Sequence, residues 1–419
     1  MIFTHITPTD WMQADDTRRL FAALGADGAA VRFVGGCVRD ALLEREVSDL
    51  DVATDAVPET VMALLERAGI HVVATGLDHG TVTAIPDHRP FQITTLRRDV
   101  ETDGRHAVVS YTKYWSEDAE RRDFTINAMS ANLDGTVFDY QDGIIDLDEG
   151  RIRFIGTAAD RIAEDYLRVL RFFRFQATYG KTDPDPVAVE ACAAAADHIP
   201  ELSGERLWQE FSRILGASDP ADILTLMAHT GVLAQLLPVK PALDDVSALH
   251  RLEETLGRAP DRILRLAAVA PAGGDVMAGM ADRFRLSRAD ARRLRGLGAE
   301  RGAVAPGMPQ AAFRRMAYAE GAQRMQDLVL MDWAAAMSAG TVDETDAAWA
   351  ALWAAARDWT APDFPVSGAD VMALGVSEGP EVGTLIAETK NWWVDENFTP
   401  DREACLARMR AALARRADD

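Results

Sequence analysis

Asp49 and Asp51 are the residues of this chain whose types and spacing most directly suggest chemistry. On an extended strand, residues two apart project from one face with their Cα atoms roughly 6 to 7 Å apart. In DLDVAT both carboxylates therefore point together, while Leu50 and Val52 turn into the core. Two hard oxygen ligands side by side suit Mg2+, which takes carboxylates, water and substrate phosphates. A pair of such ions about 4 Å apart stabilises the attacking and leaving oxygens of an in-line phosphoryl displacement. A lone Asp-x-Asp is more often a polar strand edge. An EF-hand is excluded, because Ala53 stands where a third ligand is needed and no glycine follows.

The elements that position the pair are legible around it. VRFVGG reads as a buried strand entering a glycine turn, and CVRDALLER as the helix that follows. Gly35 and Gly36 let backbone N–H groups close on a phosphate, and the helix N-terminus favours an anion there. Arg39, one turn into the helix, adds a charged donor to the same phosphates. VPETVMALLERAG reads as a helix, and TVTAIP and PFQITTL as two further strands. RRDVETDGRHA reads as a loop, RRDFTINAMSA as a helix, and TVFDY as a short strand. Beyond residue 150 strand signals fade. AADRIAEDYLRVLRFFRFQATY, DPVAVEACAAAADHI and GERLWQEFSRIL are helical in period, and the alanine-rich remainder is mostly helical.

Composition bounds the function. The chain has 419 residues, is 48% hydrophobic and carries a net charge of −22, which argues against promiscuous nucleic-acid binding. Arginines nevertheless cluster at 121–123, 168–175 and 288–296, so a local basic track on an acidic body remains open beside plain solvated helix faces. Cys37, Cys192 and Cys405 form no metal-ligand spacing and no disulfide framework. The first residues lack a secretory pattern and no window reaches membrane-span length, so a cytoplasmic setting is expected.

GGCVRDALLEREVSDLDVAT resembles the first motif of the class II tRNA nucleotidyltransferase and bacterial poly(A) polymerase family, within the DNA polymerase beta superfamily. The resemblance runs to about residue 215. It implies an α+β fold: a polymerase-beta-like nucleotidyltransferase head, a mixed sheet with flanking helices, then an all-helical neck, body and tail. The expected domains are a head over 1–150, a neck selecting nucleotides over 151–240, and a body and tail binding tRNA over 241–419. The implied reaction is template-independent transfer from CTP and ATP to the tRNA 3′ end with Mg2+, Asp49 and Asp51 being catalytic and metal-binding. No membrane and no protein partner are implied. A poly(A) polymerase or an A-only adding enzyme uses the same head, and a silent RNA-binding module would not need both aspartates.

RRDFTINAM resembles the family's second motif: Arg122 can reach a phosphate, and Asp123 and Asn127 can bond ribose hydroxyls. With Gly35, Gly36 and Arg39 these form the expected triphosphate and ribose site. EDYLRVLRFFRF resembles the nucleotide-selecting EDxxR motif. On one helix Asp165 and Arg168 would be neighbours at spacing three, with Arg171 and Arg174 continuing the track. A carboxylate that only accepts beside a guanidinium that only donates fits cytosine and adenine, each an exocyclic amine next to a ring acceptor. Uracil and guanine reverse that arrangement, leaving buried groups unpaired at about 1 to 3 kcal/mol each.

FDYQDGIIDL resembles the head-to-neck connector, with Tyr140 and Asp142 where proline and glycine are usual. SGERLWQEFSRIL resembles the helix bracing the neck, with Glu205 and Arg206 in support. TLRRDVETDGRHAVV corresponds to the flexible loop, which relatives adding only C have shortened. Gln92 stands where many superfamily members carry a third carboxylate, so whether another acid joins the pair is open. Gly375 and Gly379 either offer amides to an RNA phosphate or serve helix packing, and the absence of a His-Asp dipeptide predicts no phosphohydrolase domain.

Overall fold

A computed structural model describes residues 2–47, 49–77, 80–87, 89–102 and 107–418. The chain divides into two compact units, Met1–Pro238 and Val239–Asp419.

Among the described residues, ten strands lie in the first unit: β1 (Ile2–His5), β2 (Val31–Val34), β3 (Asp51–Thr54), β4 (His71–Gly76), β5 (Thr81–Ile85), β6 (Phe91–Thr95), β7 (Arg97–Thr102), β8 (Ala107–Tyr111), β9 (Ser130–Ala131) and β10 (Thr136–Asp139). Eight form one mixed sheet in the order β1-β10-β9-β2-β3-β6-β5-β4, and β3 with β6 is its parallel pair. Phe33, Val52, Phe91 and Ile93 are fully or almost fully buried in this sheet. The helices of the unit are α1 (Asp10–Gln13), α2 (Asp15–Leu24), α3 (Gly36–Leu42), α4 (Pro58–Arg67), α5 (Trp115–Glu120), α6 (Gly143–Glu149), α7 (Ala158–Glu164), α8 (Leu167–Tyr179), α9 (Pro186–Ala194), α10 (Gly204–Leu215), α11 (Ala221–His229) and α12 (Val232–Leu236). Pro58 opens α4, where its missing N–H costs nothing, and Ser203 caps α10 by accepting from the Arg206 N–H.

Three local expectations change. RRDFTINAMSA forms a single 3-10 turn, Thr125–Asn127, because Ser130 and Ala131 are drawn into the sheet between β2 and β10. The long helix expected over 158–179 breaks at Asp165, whose backbone is extended at φ −158° and whose carboxylate accepts from the Leu167 N–H to start α8. The segment expected as a loop after β6 is a hairpin, β7 paired with β8, whose tip lies outside the described residues. Asp142 adopts the left-handed region at φ 62°, the conformation for which glycine is the ordinary solution.

The second unit is helical: α13 (Leu243–Thr255), α14 (Arg262–Val269), α15 (Gly274–Arg283), α16 (Arg288–Ala299), α17 (Gln310–Glu320), α18 (Ala322–Ser338), α19 (Ala347–Arg357), α20 (Gly368–Met372), α21 (Pro380–Asp395) and α22 (Arg402–Asp418). Asp261 caps α14 and receives Arg293 of α16, which also grips Asp327 of α18. Arg265 is wholly buried against Glu253 at 2.6 Å. Val371, Leu385, Trp393, Cys405 and Met409 make a separate core for α20 to α22. No helix among the described residues is long and apolar enough to cross a membrane.

Candidate active site

Gly35 ends β2 at φ 73°, and its N–H donates to the Met129 carbonyl at 3.2 Å, so the chain turns sharply into α3. The positive φ is what favours glycine there, and a Cβ would also press on the Arg122 Nη1 at 3.3 Å. Leu50 and Val52 are buried, which leaves Asp49 and Asp51 on the other side of the chain. Asp49 sits just before β3 and is exposed; Asp51 begins the strand directly opposite Gln92 of β6. Burial, and then the charge of Asp49, push the Asp51 carboxyl up, opposed by the positive charge of Arg122. The glycine turn, the two aspartates and Arg122 therefore share one locality.

Arg122 is fixed by an aspartate that sequence reading did not single out. Asp118 of α5, 3% exposed, accepts from Arg122 Nη2 at 3.0 Å and from Arg121 Nε at 2.8 Å. Burial alone would raise its carboxyl, but the charges of Arg122 and Arg121 outweigh it and hold it low. Asp123 is likewise held low against its burial by the charge of Arg171, aided by a hydrogen bond from Asn127. The Asn127 carbonyl oxygen of the side chain accepts from Arg39 Nη1 at 2.6 Å, while Arg39 Nε and Nη2 both go to Asp40. Arg39 is thus buried beside Gly36 with its donors directed at Asp40 and Asn127.

The residues expected to read the base fall into two groups. Asp165 accepts from Arg206 Nη2 at 2.7 Å, and Arg168 pairs with Glu164 and donates to the Arg161 carbonyl at 2.7 Å. Asp165 and Arg168 are therefore adjacent across the start of α8, joined by the Arg168 N–H donating to the Asp165 carbonyl at 3.0 Å, while their side chains turn to different partners. Arg171 leans to Asp123 at 2.5 Å and to Glu210 at 3.8 Å. Arg174 turns away to buried Glu210 on α10, so the structure does not bring it to the glycine turn. At the far end of α8, the Tyr179 hydroxyl donates to Asp40 at 2.8 Å while Arg39 and Arg45 stack on its ring at 4.3 and 4.7 Å. Asp118, Glu210 and Tyr179 were missed. For Asp118 the signal was present, since an acid three and four residues before two arginines is a helical ion-pair spacing. For Glu210 and Tyr179 only tertiary packing reveals the partner.

A family model described as "Poly A polymerase head domain" matches residues 31–153, and one described as "Probable RNA and SrmB- binding site of polymerase A" matches 183–243. The chain is 33% identical over 385 residues to CCA tRNA nucleotidyltransferase 1, mitochondrial, from Mus musculus, covering 90% of this chain and 86% of the relative. The chain belongs to the CCA tRNA nucleotidyltransferase family. It is also 36% identical over 230 residues to a CCA-adding enzyme of Streptococcus gordonii, covering 54% of this chain and 56% of that one. Among solved structures, the Bacillus stearothermophilus CCA-adding enzyme in complex with CTP superposes with a TM-score of 0.72 at 23% identity, covering 96% of this chain and 99% of that one. The Thermotoga maritima CCA-adding enzyme complexed with tRNA gives 0.67 at 20% identity, covering 99% and 100%. At those identities the likeness is one of fold.

Within that family fold, the donor set fits a divalent cation. Burial and the charge of Asp49 both push the Asp51 carboxyl up, and a hard cation held there would relieve that cost. No group of three His, Cys, Asp or Glu side chains suited to a metal occurs among the described residues, and the register puts Gln92 where a third acid would stand. Cys37, one residue into α3, is fully buried with its thiol pushed up to about 12 by that burial, so it is neither ligand nor nucleophile.

Proposed function

We propose that this chain builds or repairs the 3′-terminal CCA of tRNA from CTP and ATP. The 3′ hydroxyl oxygen of the RNA attacks the α-phosphorus, that P–O bond forms, the bond to pyrophosphate breaks, and the hydroxyl proton leaves to solvent. Asp49 and Asp51 would hold Mg2+, which lowers the pKa of the hydroxyl and neutralises the departing pyrophosphate. The Gly35-Gly36 turn and Arg122 receive the triphosphate, and Asp123 and Asn127 face the ribose. Asp165 accepts from the exocyclic amine of cytosine or adenine, and Arg168 donates to the neighbouring ring nitrogen. Both must first exchange their present partners, Arg206 and Glu164.

The observation that supports this reading is the closeness of Arg122 to the Gly35 turn together with its charge acting on Asp51, which suits a guanidinium that receives a triphosphate beside a carboxylate pair. The Arg171–Asp123 bond then ties the base-reading helix to the ribose site, so one nucleotide can span all three. Residues 1–150 act as head, 151–240 as neck, and 241–419 as the tRNA-binding body and tail. We place the enzyme in the cytoplasm, which subcellular fractionation tests against the mitochondrion of the mouse relative.

Purified protein, Mg2+ and tRNA lacking its CCA decide the matter in separate nucleotide mixes. The expected products are two C residues from CTP alone and a terminal A once ATP is added. Long A tracts on mixed RNA would make it a poly(A) polymerase, and activity confined to tRNA ending in CC would make it an A-adding enzyme.

A further inference from the structure

We propose that Asp118 is a positioning residue for nucleotide binding, holding Arg122 over the glycine turn and joining it to the root of the β7–β8 hairpin. This rests on the nucleotidyl-transfer reading above.

Asp118 lies on the six-residue helix α5 and is almost wholly buried. Its two oxygens serve three neighbours. Oδ2 accepts from Arg122 Nε at 3.3 Å and Nη2 at 3.0 Å. Oδ1 accepts from the Arg97 backbone N–H at 3.3 Å, the first residue of β7, and from Arg121 Nε. The remaining Arg122 nitrogen, Nη1, donates to the Asn127 backbone carbonyl at 3.3 Å and lies on Gly35. Arg122 thus has three of its five donors committed, and its plane is set by a carboxylate rather than by the triphosphate it must receive. Because a carboxylate is rigid and planar, a shift of the hairpin root that drags Oδ1 also moves Oδ2 and with it Arg122. A side chain that only neutralised the arginine pair for the fold would not need the third, backbone, partner on the hairpin.

The test uses the full chain and measures Km for CTP on tRNA lacking CCA, Km for ATP on tRNA ending in CC, and the calorimetric Kd for CTP with Mg2+. Asp118→Asn keeps the shape and removes the charge. We expect both nucleotide Km values and the CTP Kd to rise by about tenfold, the loss of one charge-assisted hydrogen bond. The tRNA Km should stay within about twofold, as for a site far from any shared partner. In an Arg122→Ala background the same change should add less than about twofold, because the two residues act as a unit. Asp118→Glu, which keeps the charge, should recover part of the loss. Amide exchange at Arg97 should quicken in Asp118→Asn. Unaltered nucleotide Km and Kd, or a tenfold effect that persists without Arg122, overturns the positioning role. Unchanged exchange at Arg97 overturns the hairpin link. Wild-type protein that binds CTP but transfers none to tRNA overturns the function instead, while Asp118 still stands or falls on the Kd.

Discussion

Removing Glu210 should destabilise the first unit far more than removing any surface acid. Glu210 on α10 is 3% exposed and faces Arg174, itself 8% exposed, with Arg171 at 3.8 Å on its other oxygen. Burial pushes the Arg174 guanidinium down from its ordinary value, with Glu210 opposing that. Glu210→Ala leaves this cation buried without its counter-ion, a defect that costs about 3–5 kcal/mol. For a unit of 238 residues, each kcal/mol moves the melting midpoint by about 2–4 °C, so the midpoint should fall by roughly 6–20 °C. Scanning calorimetry reads this directly. Glu388→Ala is the control, since its pair with Arg416 is exposed at 55% and 36% and is worth about 0–1 kcal/mol. The double change Glu210→Leu with Arg174→Met should recover most of the loss, because it removes the stranded charge as well as its partner. A fall below about 2 °C for Glu210→Ala, or a double variant no better than the single one, would refute the buried-pair reasoning.

On the proposed function, Asp51→Asn and Asp49→Asn should each reduce C incorporation by about a thousandfold or more in single-turnover assays, with unchanged circular dichroism, because each would remove a charge assigned there to Mg2+. Cys37 should resist iodoacetamide at pH 8 in native protein and react in urea, since its thiol is pushed up to about 12 by burial; mass spectrometry of the labelled peptide checks this. Arg293→Glu should unfold the helical unit by its collision with Asp261 and Asp327, whereas Arg292→Glu, on an exposed position, should leave the melting midpoint unchanged and weaken tRNA binding if α16 lies on the RNA. Asp261 gives a pH test. Burial would raise its carboxyl, but Arg293 and the N–H groups of Leu264 and Ile263 hold it lower, so its stabilisation is present above the unfolded pKa of about 3.9 and is lost as pH falls through the folded value. Asp261→Asn should therefore flatten the acid unfolding curve below about pH 4, measured by denaturant titration.

Period and turn chemistry exposed the site's frame, and partner choice stayed hidden. The Leu50-Asp51-Val52 alternation, the glycine turn at 35–36 and the α10 span were all readable, because each depends on residues within one turn or strand. Asp165 failed as a helical neighbour of Arg168 because an aspartate followed by a free N–H prefers to cap a new helix rather than continue the old one. RRDFTINAMSA failed because two residues of weak helical commitment gain more from ladder bonds on both sides than from another helical turn. Glu210 and Tyr179 lie well beyond local reach of their partners, and no spacing rule finds them.

The arginine clusters teach the same point about function. A sequence of net charge −22 with three dense arginine runs invites the reading of a basic RNA track. The structure divides those arginines by burial rather than by sequence. Arg122 is bound to Asp118, Arg171 to Asp123, Arg174 to Glu210, and Arg293 to Asp261 and Asp327. Each is committed to an internal carboxylate, and all but the Arg122 pair span 32 to 48 residues, so a cluster of guanidiniums is as much a sign of a folded ion network as of a nucleic-acid surface. What remains for RNA on the third cluster is the exposed set Arg288, Arg292 and Arg295, spaced four and three residues apart on one face of α16. An assay for tRNA contact belongs on those three. Arg293, its neighbour in sequence, reports only on the fold.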